Sequence, residues 1–324
     1  RASLSQGNFL GWGDRLILGA NQTEGSDGWN ISYAIPINRR NGTFSFAYSN
    51  SSSEVIEEPF GVLDIQSESR SYEFTLRQPV IQTPTEELAL SLTASRRETE
   101  SEFLASLTGT AEPFPSTGAD ADGQTRISAL RFAQDWTRQT PGQVFALRSE
   151  LSFGLDALNS TINPIRPDSR FFSWRGQGQW VRQIGSDSLF LLRGDIQLAD
   201  GPLVPGEQFG LGGQSTIRGY RQDSLLTDNG WLASAEFRVP ILQVPKVDGV
   251  LQIAPFIDIG QGWNPKEPDP LDSTLASTGL GLLWRMGDRF SARLDWGIPL
   301  TVETSSGSSL QEDGFHFSLQ FSPF

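Results

Sequence analysis

Side-chain character alternates every second residue from one end of this chain to the other, and few patterns restrict a fold more. Phe44, Phe46 and Tyr48 interleave with Ser45, Ala47 and Ser49; Tyr72, Phe74 and Leu76 interleave with Glu73, Thr75 and Arg77. Trp231, Ala233, Ala235, Phe237 and Val239 interleave with Leu232, Ser234, Glu236 and Arg238. Phe290, Ala292, Leu294, Trp296 and Ile298 do so with Ser291, Arg293, Asp295 and Gly297, and Phe315, Phe317, Leu319 and Phe321 with His316, Ser318, Gln320 and Ser322. Successive side chains of an extended chain point to opposite faces, so each segment offers one apolar and one polar face to a sheet. No stretch shows a comparable 3.6-residue period, and the fold class read here is all-β. Turn residues divide the chain into fifteen predicted strands: 1–9, 14–22, 28–36, 42–50, 64–80, 86–99, 124–138, 143–157, 169–183, 187–199, 230–240, 249–262, 274–286, 288–301 and 314–324. Many are longer than the five or six residues common in soluble sheets.

The connections narrow the class further. Those at 10–13, 37–41, 81–85, 139–142, 184–186, 241–248 and 287 are short; those at 23–27, 51–63, 100–123, 158–168, 200–229, 263–273 and 302–313 are long, and the two kinds alternate. A soluble sandwich has no reason to gather its long loops at one end. An antiparallel up-and-down transmembrane β-barrel does, with tight turns on one side and longer loops on the other. In hydrocarbon every backbone N–H and C=O needs an internal partner, so a spanning sheet must close. A mean hydropathy of −0.30 is compatible, because only alternate residues would meet lipid. Trp12, Trp29, Trp231, Trp263 and Trp296 fall near strand ends, as aromatic girdles do. No run of 18 apolar residues exists to form a membrane-spanning helix.

Composition excludes several activities. The net charge is −13 and lysine occurs only at Lys246 and Lys266, so nucleic acid is not an expected partner. There is no cysteine and one histidine, which removes thiolate chemistry and leaves no nucleophile–base pair to assemble; neither an enzyme nor a metal site is expected. The glycines before Gln214 are followed by no helix, and there is no P-loop, so no nucleotide cofactor is expected either.

The connection 200–229 stands apart. It contains Phe209-Gly210-Leu211-Gly212-Gly213-Gln214-Ser215-Thr216-Ile217-Arg218-Gly219-Tyr220, with Gly210, Gly212 and Gly213 permitting tight backbone. Arg218, between apolar and aromatic neighbours, calls for a planar carboxylate partner. Ile217-Arg218-Gly219-Tyr220 resembles the tip of the in-folded sixth loop of the Omp85 superfamily. Phe256, Asp258 and Gly260 resemble that superfamily's Phe-x-Asp-x-Gly motif on the strand receiving the loop. Alternation independently sets Leu251, Ile253, Ile257 and Ile259 on one face and Phe256, Asp258 and Gly260 on the other. The lead-in Leu211-Gly212-Gly213 resembles the two-partner secretion branch, the haemolysin- or haemagglutinin-secreting transporters. Thr75-Leu76-Arg77-Gln78-Pro79-Val80 and Arg238-Val239-Pro240 resemble the same branch, including its cyanobacterial members.

The resemblance implies an outer-membrane pore of a Gram-negative-type bacterium that secretes an unfolded partner protein, gated by the 200–229 loop. Its implied partners are the secreted passenger, outer-membrane lipid and, during biogenesis, the barrel-assembly machinery. Two other readings stay open: an Omp85-type insertase assembling outer-membrane barrels, and a passive diffusion porin. Residues 1–324 are read as barrel throughout. Sixteen strands are expected in the intact protein, because single-chain bacterial barrels have even counts; the first strand and the periplasmic POTRA domains are expected to precede this sequence. Arg218–Asp258 is read equally as a moving latch and as a rigid structural pair. Arg193, Asp195, Arg293 and Asp295 are expected to line a wet conduit, with His316 a solvated lumen residue. Glu57-Glu58 and Asp120-Ala121-Asp122 are expected to be solvated loop acids. Phe324, the expected terminal-strand signal, follows Ser322-Pro323 and is out of phase with the aromatic row before it.

Overall fold

The structure, a computed structural model, describes residues 2–23, 25–55, 63–105, 109–266, 268–270, 273–301 and 309–322. Glu57, Glu58 and Phe324 lie outside the described residues. The strands are β1 (Ala2–Gly7), β2 (Arg15–Gln22), β3 (Ser26–Pro36), β4 (Thr43–Glu54), β5 (Gln66–Gln82), β6 (Glu86–Phe103), β7 (Glu112–Pro113), β8 (Gln124–Thr140) and β9 (Gln143–Leu155). They continue as β10 (Phe172–Ile184), β11 (Ser188–Ala199), β12 (Phe209–Leu211), β13 (Leu225–Thr227), β14 (Asn229–Val244), β15 (Gly249–Trp263), β16 (Thr274–Met286), β17 (Phe290–Pro299) and β18 (Phe315–Phe321).

All but β12 and β13 form one antiparallel sheet of 16 strands, in which each long strand pairs with its neighbours in sequence. Fifteen make the up-and-down path and coincide with the fifteen predicted. The sixteenth is the two-residue β7, an addition to the end of β6 rather than another spanning strand. Among the described residues the ladders run in order from β1 to β18 and none joins those two strands to each other. β12 and β13 pair separately, as a small hairpin inside the 200–229 connection.

Register puts the apolar set outward. Ile257 and Ile259 are 55% and 40% exposed on β15, whereas Ala254, Phe256, Asp258 and Gly260 between them are buried on the inner face. Trp296 and Ile298 on β17 and Phe317, Leu319 and Phe321 on β18 are exposed in the same way. An apolar surface this extensive is not tolerated in water and marks a lipid-facing wall. Aromatic rows border it. Trp29, Tyr48 and Tyr72 touch in series near the long-loop end, with ring centres 5.0 and 4.9 Å apart. Phe145, Trp180 and Phe190 do so near the short-turn end, at 5.5 and 6.0 Å.

The alternation of loop lengths fails at one place. The connection 23–25 is short, while 8–14, on the tight-turn side, is longer. The reason is local. Asp14 is buried and accepts the N–H groups of Leu10 and Trp12, and Asn8 accepts that of Gly13, so residues 8–14 close into a self-bonded turn.

Candidate functional site

The largest fully buried side chains are not on the outer wall but in the connection between β11 and β14, folded against the sheet's inner face. Phe209, Leu211, Ile217, Tyr220 and Leu225 of this loop cluster with the wall residues Leu232 and Leu275. The β12–β13 hairpin sets the loop's width, and the N–H of Gly213 donates to the carbonyl of Tyr220 at 3.0 Å, closing the tip turn. Gly219 has φ +93°, and a Cβ there would stand 2.9 Å from the backbone of Gly297 on β17. Glycine is needed on both counts. The tip therefore rests backbone to backbone on the wall.

Arg218 is 4% exposed and uses its fork fully. Nε and Nη2 donate to the two carboxylate oxygens of Asp258 at 2.7 and 2.8 Å, and the backbone N–H of Arg218 donates to the same carboxylate at 3.1 Å. Nη1 donates to Glu236 at 2.5 Å, and the guanidinium carbon sits 3.5 Å from the centre of the Phe256 ring. Such bidentate, stacked geometry is specific to arginine. Ser234 donates to Asp258 at 2.6 Å. Arg293 bridges Glu236 at 2.8 Å and Asp295 at 2.6 Å, and Arg238 donates to Glu236 at 2.6 Å. Three guanidiniums thus face three carboxylates, a cluster beneath the loop in which Arg238 and Arg293 remain 23% and 24% exposed.

The neighbours of Arg218 are fastened too. The Gly219 N–H donates to Nε2 of His316 at 3.2 Å, so that nitrogen acts as an acceptor. Tyr220 donates its hydroxyl to the Ala276 carbonyl at 2.7 Å, and Gln214 reaches Asp295 at 3.0 Å. One tip is held by β14, β15, β16, β17 and β18.

The structure places the expected residues as follows. The loop is folded inward, Asp258 faces it, and Phe256 and Gly260 line the same face; a Cβ on Gly260 would stand 2.9 Å from the Trp231 carbonyl oxygen and 3.0 Å from the Leu211 side chain. Gly210 and Gly212 belong to the hairpin and its exit. His316 is not a solvated lumen residue: it is 6% exposed and bonded to the tip. Asp295 is fully buried in the charge cluster and does not line a conduit, whereas the side chain of its partner Arg293 keeps 24% of its surface exposed. Arg193 donates to the Thr216 carbonyl at 3.1 Å, and Asp195 pairs with Arg175 at 2.8 Å on the neighbouring wall. Asp120 is not merely a solvated acid, since it accepts the backbone N–H groups of Asp122 and Gln124 and pairs with Arg126. Glu236, Ser234 and Gly297 were missed. Parity alone could have found the first two, since they share the inner row of β14 opposite Asp258 and Phe256.

No group of three or more potential metal-ligating side chains occurs among the described residues. The arrangement's chemistry is retention: a loop held in place by buried ion pairs.

The family model described as haemolysin secretion/activation protein ShlB/FhaC/HecB matches residues 1–283. CdiB from Escherichia coli is similar in structure, at 17% identity and a TM-score of 0.75 over 98% of this chain and 57% of that one. CdiB from Acinetobacter baumannii is similar at 15% identity and 0.70, over 98% and 55%. BamA from Haemophilus ducreyi, lacking POTRA domains 1–3, is similar at 14% and 0.65, over 97% and 65%. The chain therefore spans a little over half the length of the two CdiB chains. No curated protein sequence matches it.

Proposed function

The chain belongs to the ShlB/FhaC/HecB family of haemolysin secretion/activation proteins, outer-membrane β-barrels of the Omp85 superfamily, and from that premise we propose that it is the pore of a two-partner secretion system. It passes an unfolded partner protein outward through a lumen that the 200–229 loop obstructs at rest. The observation carrying this reading is the Arg218–Asp258 fork, with the loop tip bonded to five strands of the inner wall. A loop so placed blocks the path of a polypeptide, and a latch built of hydrogen-bonded ions can open without breaking the sheet. In this reading the passenger's own folding outside draws it across the membrane.

The test uses the full-length protein co-expressed with its passenger. Asp258→Ala removes the acceptor of the fork and leaves a buried guanidinium short of its partner, a loss of about 3–5 kcal/mol when no water can substitute. Export is expected to fall at least about tenfold while the barrel still migrates as a folded, heat-modifiable species in the outer membrane. Undiminished export by this variant would refute the latch.

A further inference from the structure

The loop is fastened at a second place, with the charges reversed. Its leading limb runs from Leu203 to Glu207, and Leu203 and Val204 pack against Ile127 and Ala129 on the inner face of β8 and against Phe171. Beyond them Glu207 turns its carboxylate to the wall. Nη2 of Arg131 on β8 donates to both oxygens, at 2.7 and 2.8 Å. Arg97 on β6 donates to the Gly206 carbonyl at 2.8 Å and stands 3.8 Å from the Glu207 carboxylate. Gln197 on β11 donates to the Glu207 carbonyl at 3.0 Å. At the tip a cation of the loop meets acids of β14 and β15; here an acid of the loop meets cations of β6 and β8.

We propose that Glu207 is a second anchor of the loop and the end that releases first, with Arg131 and Arg97 as its positioning partners. This rests on the reading of the loop as the lumen's obstruction. The two anchors engage different sectors of the wall, so the loop is a bar fixed at both ends. Losing Glu207 frees the leading limb while Arg218 still holds the tip, which gives a partly open state. The order follows from solvent access. The side chains of Glu207 and Arg131 are 11% and 17% exposed and that of Arg97 is 40% exposed, whereas Arg218 and Asp258 are 4% and 0% exposed. Water and salt compete for a pair they can reach and not for one they cannot. Opposite polarity at the two ends also fixes the direction in which the loop lies, because Glu207 finds carboxylates at the tip's site and Arg218 finds guanidiniums at the other.

The experiment is single-channel recording of the full-length protein in planar bilayers without any passenger. Glu207→Gln and Arg131→Gln are each expected to raise the fraction of time spent open about tenfold, equivalent to about 1.4 kcal/mol. The exchanged pair E207R/R131E should return it to within about twofold of the parent, the usual error of additivity. Single variants that gate like the parent, or an exchange no better than either single variant, overturn the proposal. Should the exchanged protein not fold, salt gives the same decision: higher ionic strength must increase opening of the parent and leave Glu207→Gln unaffected. An unaltered effect of Glu207 on gating alongside failed export would remove the secretion reading and leave the second anchor standing.

Discussion

Arg218 shows how much one side chain can contribute to holding the loop tip. Its guanidinium spans Asp258, Glu236 and Ser234 while its flat face covers Phe256, and no other residue offers so many donors in one plane. The cost of burying that charge is met by acids that are themselves bonded: Asp258 by Ser234, and Glu236 by Arg238 and Arg293. This geometry depends on a residue with no side chain. A Cβ on Gly297 would lie 2.5 Å from the Gly219 nitrogen and 2.7 Å from the Arg218 carbonyl carbon, closer than atoms pack. Gly297→Ala should therefore push the tip off the wall without touching any charge, weakening loop retention by about 1–3 kcal/mol, the usual penalty of overpacking. Trypsin cleavage after Arg218 in the folded protein, at a rate set by local opening, measures it. The rate should rise at least about fivefold over the parent, and an unchanged rate would mean that the backbone contact does not seat the tip.

Among the elements, the outer connection 156–171 is organised by Asp168, which is buried and accepts the N–H groups of Asn163 and Arg170 together with the Arg170 guanidinium. Burial pushes its carboxyl up, but the Arg170 side chain and these two backbone donors outweigh burial and hold it below the ordinary 3.8. A carboxyl lowered by folding contributes stability that is fully present above its unfolded value and is lost as pH falls through the folded one. The connection should stay protected at neutral pH and loosen only below about pH 4. Amide exchange across 161–171, corrected for intrinsic rates, is expected to show that step in the parent. Asp168→Asn should exchange faster at pH 7 and show no step; the same step in both would acquit the carboxylate. The sequence made the strands legible because lipid on one face and a polar lumen on the other impose parity at every residue. It made Asp258 legible through the same parity. It did not reveal the role of Glu236, Asp295 or His316, whose partners lie 18, 81 and 97 residues away and meet them only where the loop folds onto the inner face of the sheet. Nor did it reveal the turn 8–14, where one buried Asp14 organises a longer connection on the tight-turn side.

For the molecule as a whole, the sheet sorts adjacent residues onto two faces, and under the proposed function this separates stability in the membrane from control of the lumen. Ile257 and Asp258 are consecutive, yet the first is 55% exposed on the outer wall and the second is wholly enclosed beneath the loop. Their substitutions should fail in different assays. Ile257→Arg places a charge where lipid lies, at about 2–4 kcal/mol near the midplane and less toward either interface, and leaves the inner network untouched. Less folded barrel should reach the outer membrane, seen as a smaller heat-modifiable fraction, but the barrels that insert should gate and export normally per molecule. Asp258→Asn keeps the side-chain volume and removes the charge, so insertion should be normal and export per barrel reduced. Should Ile257→Arg insert fully and lose export instead, the outer and inner faces of β15 would have to be exchanged. The register that brings Asp258 opposite Ser234 and beneath Arg218 would then be wrong along the whole strand, because a slip of one residue reverses every side chain on it.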